Sequence, residues 1–352
     1  MNKSYTAILI CAVMLVGLLV IISAEEKKGP PDKNFYEKSL HFTANGLRYW
    51  YSKEQGGMEK ITGVPIEEVN CTKCHVESCD ACHVKEVDGK PFYSTDVARS
   101  EAPCRECHGY GGPQKDEEGK EIPITDVHFL KGMKCMDCHT IREIHGDGTL
   151  YNSAAQEGAL DAKCENCHSK LTKSASHSVH KEKLDCLACH VLERPSCHNC
   201  HFDTRIAEKK SKALQFKNLH FLVNQKGKVT LATMLTFVYK NQPMISFGPK
   251  FTHDVRKEGR KCDDCHNAEL LKKVKDNKLV LATYEKDEMK NVEGVIPVVD
   301  GFNWNLFWLN LENEKWVLIT NAPAPIVRYS RYCTPLTQEQ LDKMITVSKR
   351  KK

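Results

Sequence analysis

The sequence predicts a mostly irregular chain of short α-helices, with a β-hairpin and a small β-rich C-terminal module that ends in a helix. Three observations predict it. Sixteen of the 18 cysteines lie between Cys71 and Cys265, all in C-x-x-C pairs, so covalent attachment rather than a periodic apolar core organises that stretch. Neither helical nor strand periodicity persists between those pairs. Residues 267–352 hold no such pair and no histidine, and their apolar runs are short and divided by asparagines. The 352 residues suffice for one large domain or two ordinary ones. At 41% hydrophobic residues a conventional core is lean, and at 28% charged residues the chain is not low-complexity. A chain of this length does not need disulfide staples.

The chain begins with a short basic stretch, residues 1–5 with Lys3, followed by an uncharged apolar run over 6–24. That pattern fits a secretory signal, with Ile22, Ser23 and Ala24 at an imperfect cleavage site. The run is also nearly long enough to stay as a membrane anchor. Cys11 inside it reads as an inert apolar residue. Residues 25–70 form a lead-in segment. It starts polar and then carries Phe35, Tyr36, Leu40, His41, Leu47, Tyr49, Trp50 and Tyr51, which read as a short helix.

Residues 71–266 hold eight C-x-x-C pairs, each followed at once by histidine. The cysteines are Cys71 and Cys74, Cys79 and Cys82, Cys104 and Cys107, Cys135 and Cys138, Cys164 and Cys167, Cys186 and Cys189, Cys197 and Cys200, and Cys262 and Cys265. The histidines are His75, His83, His108, His139, His168, His190, His201 and His266. C-x-x-C-H is the attachment motif of haem c: two thioethers fix the porphyrin, and the next histidine turns its imidazole to the iron. A zinc array or redox dithiol needs no histidine after every pair, and eight repeats outweigh both. Only three residues separate the first motif from the second, and six separate the sixth from the seventh. Those spacings predict haem pairs in contact.

Between His201 and Cys262, residues 219–223 and 229–239 read as a β-hairpin around a turn at 224–228. In the haem-free module, residues 278–284, 305–311, 315–320 and 325–332 read as strands. Thr337 with Gln340 reads as a capping box that opens a last helix through Val347. Trp304, Phe307, Trp308 and Trp316 cluster there as a module core or packing onto a haem, with a docking face as the sharper alternative. Cys333 reads as a buried single thiol. The tail at 349–352 is a small basic cluster at a solvated end.

These motifs make residues 71–266 resemble the multi-haem, octahaem c-type cytochromes. The resemblance implies eight haem c groups, each with an iron, and helices wrapped around them. It implies maturation outside the cytoplasm, in the periplasm or at the cell surface. Haem propionates would outweigh the net charge of +5, so the basic excess need not imply nucleic acid. A low-spin electron-transfer haem takes a sixth ligand, usually His or Met. Eight histidines lie outside the motif ends: His41, His128, His145, His177, His180, His198, His220 and His253. They match eight bis-His haems in number. His128, His180 and His253 sit just upstream of motifs, where related cytochromes place distal ligands. His198 lies inside the seventh motif and can reach only a neighbouring haem. Met133 and Met136 flank the fourth motif as packing or solvent-side residues rather than ligands.

The function implied is electron transfer in respiration, with no catalytic residue. Partners would be a quinol-oxidising complex or other cytochromes on one side, and a terminal reductase or extracellular acceptor on the other. Self-assembly into a filament, with His41 or His220 ligating across subunits, is a further reading. The alternative is an octahaem oxidoreductase of hydroxylamine, nitrite or tetrathionate type with one open-site haem. This chain departs from those enzymes: every motif ends in histidine, the chain is short, and its end reads as β-rich. A membrane-anchored quinol dehydrogenase is a third reading, though no quinol site is recognisable.

Overall fold

The computed structural model describes residues 33–69, 76–108, 114–115, 121–122, 125–191, 196–249 and 253–349. The apolar run at 6–24 and the first motif, Cys71, Cys74 and His75, lie outside the described residues. Among the described residues, no helix is long and apolar enough to cross a membrane.

The lead-in is helical, as its aromatics predict, in three short pieces: Lys33–Tyr36, Leu40–Thr43 and Asn45–Tyr51. Ser39 caps the second through its hydroxyl, which accepts from the Phe42 amide, and Ala44 in the left-handed region ends it. Beyond it, Met58, Ile66 and Val69 pack with Phe202 and Met244, so the lead-in docks on the second half of the chain. The described residues between 76 and 191 follow as short helices of one or two turns joined by loops and small hairpins.

The second half is built on one eight-stranded sheet. Its strands are β1 (Cys197–His201), β2 (Leu214–Gln215), β3 (Leu219–Gln225), β4 (Lys228–Tyr239), β5 (Gln242–Pro249), β6 (Gly294–Pro297), β7 (Ile326–Tyr329) and β8 (Cys333–Thr334). The long β4 is the hub. It pairs antiparallel with β3 and β5, and parallel with β1. The expected hairpin is β3–β4. Its two-residue turn, Lys226-Gly227, takes positive φ at both positions, as a turn matched to strand twist requires.

The sheet crosses the boundary expected at 267. β1–β5 precede it, and β6–β8 follow it in the same sheet, with β6 parallel to β3 and β7 parallel to β5. The reason is burial. β3 and β4 are apolar on both faces, with Phe221, Val223, Leu231 and Met234 fully or nearly fully buried, and the later segments cover them. Helix α1 (Ala268–Lys275) puts Leu271 and Val274 into this core. The last helix α2 (Gln338–Lys349) contributes Leu341. Its capping box is present: the Gln340 amide donates to the Thr337 hydroxyl, and the Thr337 amide to the Gln340 side chain. Trp304 and Trp308 are buried, and Trp304 packs on Phe221, Phe247 and Phe302. Cys333 is buried among them.

Phe247 is fully buried and touches Phe221, Trp304 and Tyr329. Phe247→Ala is expected to destabilise the sheet by about 3–5 kcal/mol, read by chemical denaturation, because the ring leaves a cavity that this packing cannot close.

Candidate functional site

Six of the motifs lie within the described residues as helical turns. The second, sixth and eighth are the helices Asp80–His83, Cys186–His190 and Cys262–Cys265. The third lies in Glu101–Cys107, and the fourth and fifth are 3-10 turns at Cys135–Asp137 and Cys164–Asn166. Five of these turns close with the motif histidine's amide donating to the first cysteine's carbonyl, at 2.8–3.0 Å: His83 to Cys79, His108 to Cys104, His139 to Cys135, His168 to Cys164 and His266 to Cys262. A helical turn brings both cysteines and the histidine to one side of the backbone.

Each of these six motif histidines faces one histidine from outside the motif ends. The ring centres are 6.1 Å apart for His83 and His145, 6.0 Å for His108 and His41, and 6.1 Å for His139 and His253. They are 6.1 Å apart for His168 and His128, 6.2 Å for His190 and His177, and 6.3 Å for His266 and His180. The interplanar angles vary from 17° to 74° while the distance barely changes. Ring stacking ties distance to angle. A shared central atom fixes the distance and leaves rotation about the metal–nitrogen axis free. Two imidazoles on opposite sides of one metal, with bonds of about 2 Å, put their ring centres about 6 Å apart.

Local structure places the second member of each pair. His145 ends the helix Ile141–His145, whose Thr140–Glu143 capping box is closed in both directions. His128 sits on Val127–Leu130, capped by Asp126. Asp126 also accepts from the Val255 amide, and Val127 donates to the Val255 carbonyl, which holds His253 near the fourth motif. His177 and His180 share the helix Ala175–His180, capped by Ser174. Three residues apart on one face, they meet the sixth and eighth motifs respectively.

The other ring nitrogen is anchored in five of these histidines. Nδ1 of His190, His266, His177 and His180 lies 2.9–3.0 Å from the carbonyls of Arg256, Met344, Thr172 and Ser176. A carbonyl only accepts, so Nδ1–H donates and Nε2 keeps its lone pair for a metal. In His139 the acceptor is Glu143 Oε2, at 2.7 Å. Burial alone would raise the Glu143 carboxyl, but hydrogen bonds from His139 and the amides of Ala162 and Asp161 hold it below its usual range. The sequence reading missed Glu143. The T-x-x-E capping pattern immediately after the fourth motif was the available signal.

The motif cysteines adjoin in sequence order. Cys82 is close to Cys104, and Cys104 is close to Cys135. Cys138 is close to Cys167, Cys164 is close to Cys186, and Cys189 is close to Cys262 and Cys265. The sixth motif thus meets the eighth, where the spacing alone predicted contact with the seventh.

The remaining histidines are set differently. His198 is fully buried, with Nδ1 at 2.9 Å from Thr236 Oγ1 and Nε2 at 3.0 Å from the Phe307 carbonyl; burial pushes it down to about 3. His201 is buried, with Nδ1 on Thr204 Oγ1 and Nε2 on Asn310 Oδ1, both at 2.8 Å. His220 is buried on β3. Burial, then the charge of Arg260, lowers it to about 4. With Arg260, Asp263 and Asp264 it lines a cavity of about 410 Å³ beside the eighth motif.

One curated relative is similar over a short stretch: the dissimilatory sulfite reductase MccA of Wolinella succinogenes, 29% identical over 105 residues. The match takes in 25% of this chain and spans 14% of that protein's length. No family model matches the chain, and no solved structure matches it.

Asp126 is buried and accepts from the amides of His128, Phe129 and Val255. Asp126→Ala removes a helix cap and strands the Val255 amide. The expected loss is about 1–3 kcal/mol in chemical denaturation.

Proposed function

We propose that the chain is a multi-haem c-type cytochrome that carries electrons along a row of bis-histidine haems outside the cytoplasm. The observation that carries this reading is the set of six histidine pairs, each joining one C-x-x-C-H histidine to one other histidine at 6.0–6.3 Å. On this reading the distal ligands are His145, His41, His253, His128, His177 and His180, serving the second, third, fourth, fifth, sixth and eighth motifs in turn. Haem at each site supplies one-electron redox chemistry. The chain's own residues fix its place. The motif turn aims both cysteines and the proximal imidazole, and the anchored Nδ1 groups set ring orientation and tautomer.

Large apolar side chains are exposed along the same stretch: Leu130, Ile141, Leu150, Leu171 and Val179. Such surface suits a porphyrin face, and its burial would supply the apolar stabilisation that single helical turns lack. On this reading, haems held by the adjoining cysteines would follow one another from the second motif to the sixth and on to the eighth. A row of this kind moves electrons between protein partners at its ends, a quinol-oxidising complex or cytochrome at one and a reductase or extracellular acceptor at the other.

Low-temperature EPR of the oxidised protein, with haem content measured alongside, tests this. The expected spectrum is dominated by low-spin bis-histidine haems. A protein without covalent haem would end the proposal. The match to a sulfite reductase favours a second reading, an oxidoreductase of sulfur or nitrogen oxyanions with one open-site haem. A high-spin signal that shifts on adding sulfite or nitrite would select it.

Two substitutions read single sites. His177→Ala and His180→Ala, three residues apart, should each convert one different haem to a high-spin or new-ligand form and leave the rest of the spectrum unchanged. Glu143→Gln removes the charge that makes the His139 imidazole electron-rich. One component of a spectroelectrochemical titration should move to more positive potential, with the others fixed.

A further inference from the structure

We propose that the seventh C-x-x-C-H carries no haem: its residues are a strand of the sheet, and Cys197 and Cys200 form no thioether. The inference rests on the multi-haem reading of the other motifs and departs from the count of eight.

The backbone separates this motif from the rest. Where five other motif histidines donate their amide to the first cysteine of their own turn, the His201 amide donates to the Lys212 carbonyl, at 2.9 Å. Cys197 and His198 pair with Gln215 and Leu214 of β2, and Cys197, Cys200 and His201 pair with Leu235, Phe237 and Val238 of β4. A bulge falls between Cys197 and Cys200, with Asn199 at φ 56°. In extended backbone, successive side chains point to opposite faces. Cys200 and His201 are therefore divided between the two faces of β1, Cys200 half-buried and His201 buried. A haem held by Cys200 would have its iron on the face that His201 leaves.

The imidazole is also occupied. The six paired histidines turn toward a second imidazole, whereas Nε2 of His201 meets Asn310 Oδ1 at 2.8 Å, where a ligated iron would have to sit. The rest of the motif has a different task. Asn199 Nδ2 donates to the Leu309 carbonyl and the Leu309 amide donates to Asn199 Oδ1, both at 2.8 Å. The Asn199 amide donates to Thr236 Oγ1, and His198 bridges Thr236 and the Phe307 carbonyl. Residues 198–201 thus clamp the segment 307–310 onto the sheet through buried, satisfied hydrogen bonds. The row of haems does not need this site, because the sixth motif adjoins the eighth directly and one helix supplies His177 and His180 to both.

The test is peptide mapping of the native holoprotein by mass spectrometry after reduction, denaturation and thiol alkylation. The peptide with Cys197 and Cys200 is expected to carry two alkyl groups and no haem, while peptides of the second to sixth and eighth motifs each carry one haem. A haem on the Cys197–Cys200 peptide overturns the proposal. Absence of haem from every motif peptide would instead overturn the multi-haem reading beneath it. Exchanging both cysteines, Cys197→Ser with Cys200→Ser, should leave the haem content per chain unchanged; loss of one haem per chain would also overturn the inference.

Discussion

The near-constant distance between paired imidazoles is the constraint on which residues 76–191 depend. Six ring pairs hold 6.0–6.3 Å across angles that differ by more than 50°. Helices of four to seven residues cannot sustain themselves in water, since each turn must repay its nucleation cost by packing. The buried core in this part of the chain is small: among the described residues between 76 and 191, the buried apolar ones are Ala155, Ala159, Ala188 and Val191. On the multi-haem reading proposed above, haems seated between these ring pairs replace that core. Each draws together two segments distant in sequence, as His253 is drawn to His139 by the Asp126–Val255 contacts. Caps at Ser39, Asp126, Thr140 and Ser174 then set where each distal histidine stands.

The second half obeys a different rule. β3, β4 and β5 bury both faces in one hydrophobic core. The two regimes meet at several places. The lead-in packs Met58, Ile66 and Val69 on Phe202 and Met244. The His266 ring donates to the carbonyl of Met344 on the last helix. Cys189 lies against the eighth motif, next to helix α1. Through these joints the ordinary globular half braces the end of the row.

Much of the site was legible locally. A C-x-x-C-H pentapeptide carries its own turn, and the Thr337–Gln340 box, the 219–239 hairpin and the lead-in helices follow from spacing and turn residues alone. The pairing of distal histidines was not legible, because it is tertiary. His177 and His180 are three residues apart yet face different motifs. His253 reaches back to the fourth motif although it precedes the eighth. His198 and His220 completed an attractive count of eight, but both are buried in strands of the sheet. The seventh motif shows the same limit from the other side: identical residue types at identical spacing became a strand, because β2 and β4 flank it and the 307–310 segment satisfies its polar groups.

The account turns on whether each imidazole pair encloses an iron. Anomalous X-ray diffraction from crystals of the holoprotein, recorded at the iron absorption edge, answers this directly. The account predicts an iron peak midway between the rings of each pair: His83 and His145, His108 and His41, His139 and His253, His168 and His128, His190 and His177, His266 and His180. Iron peaks lying elsewhere, with these rings facing each other across no metal, would contradict it.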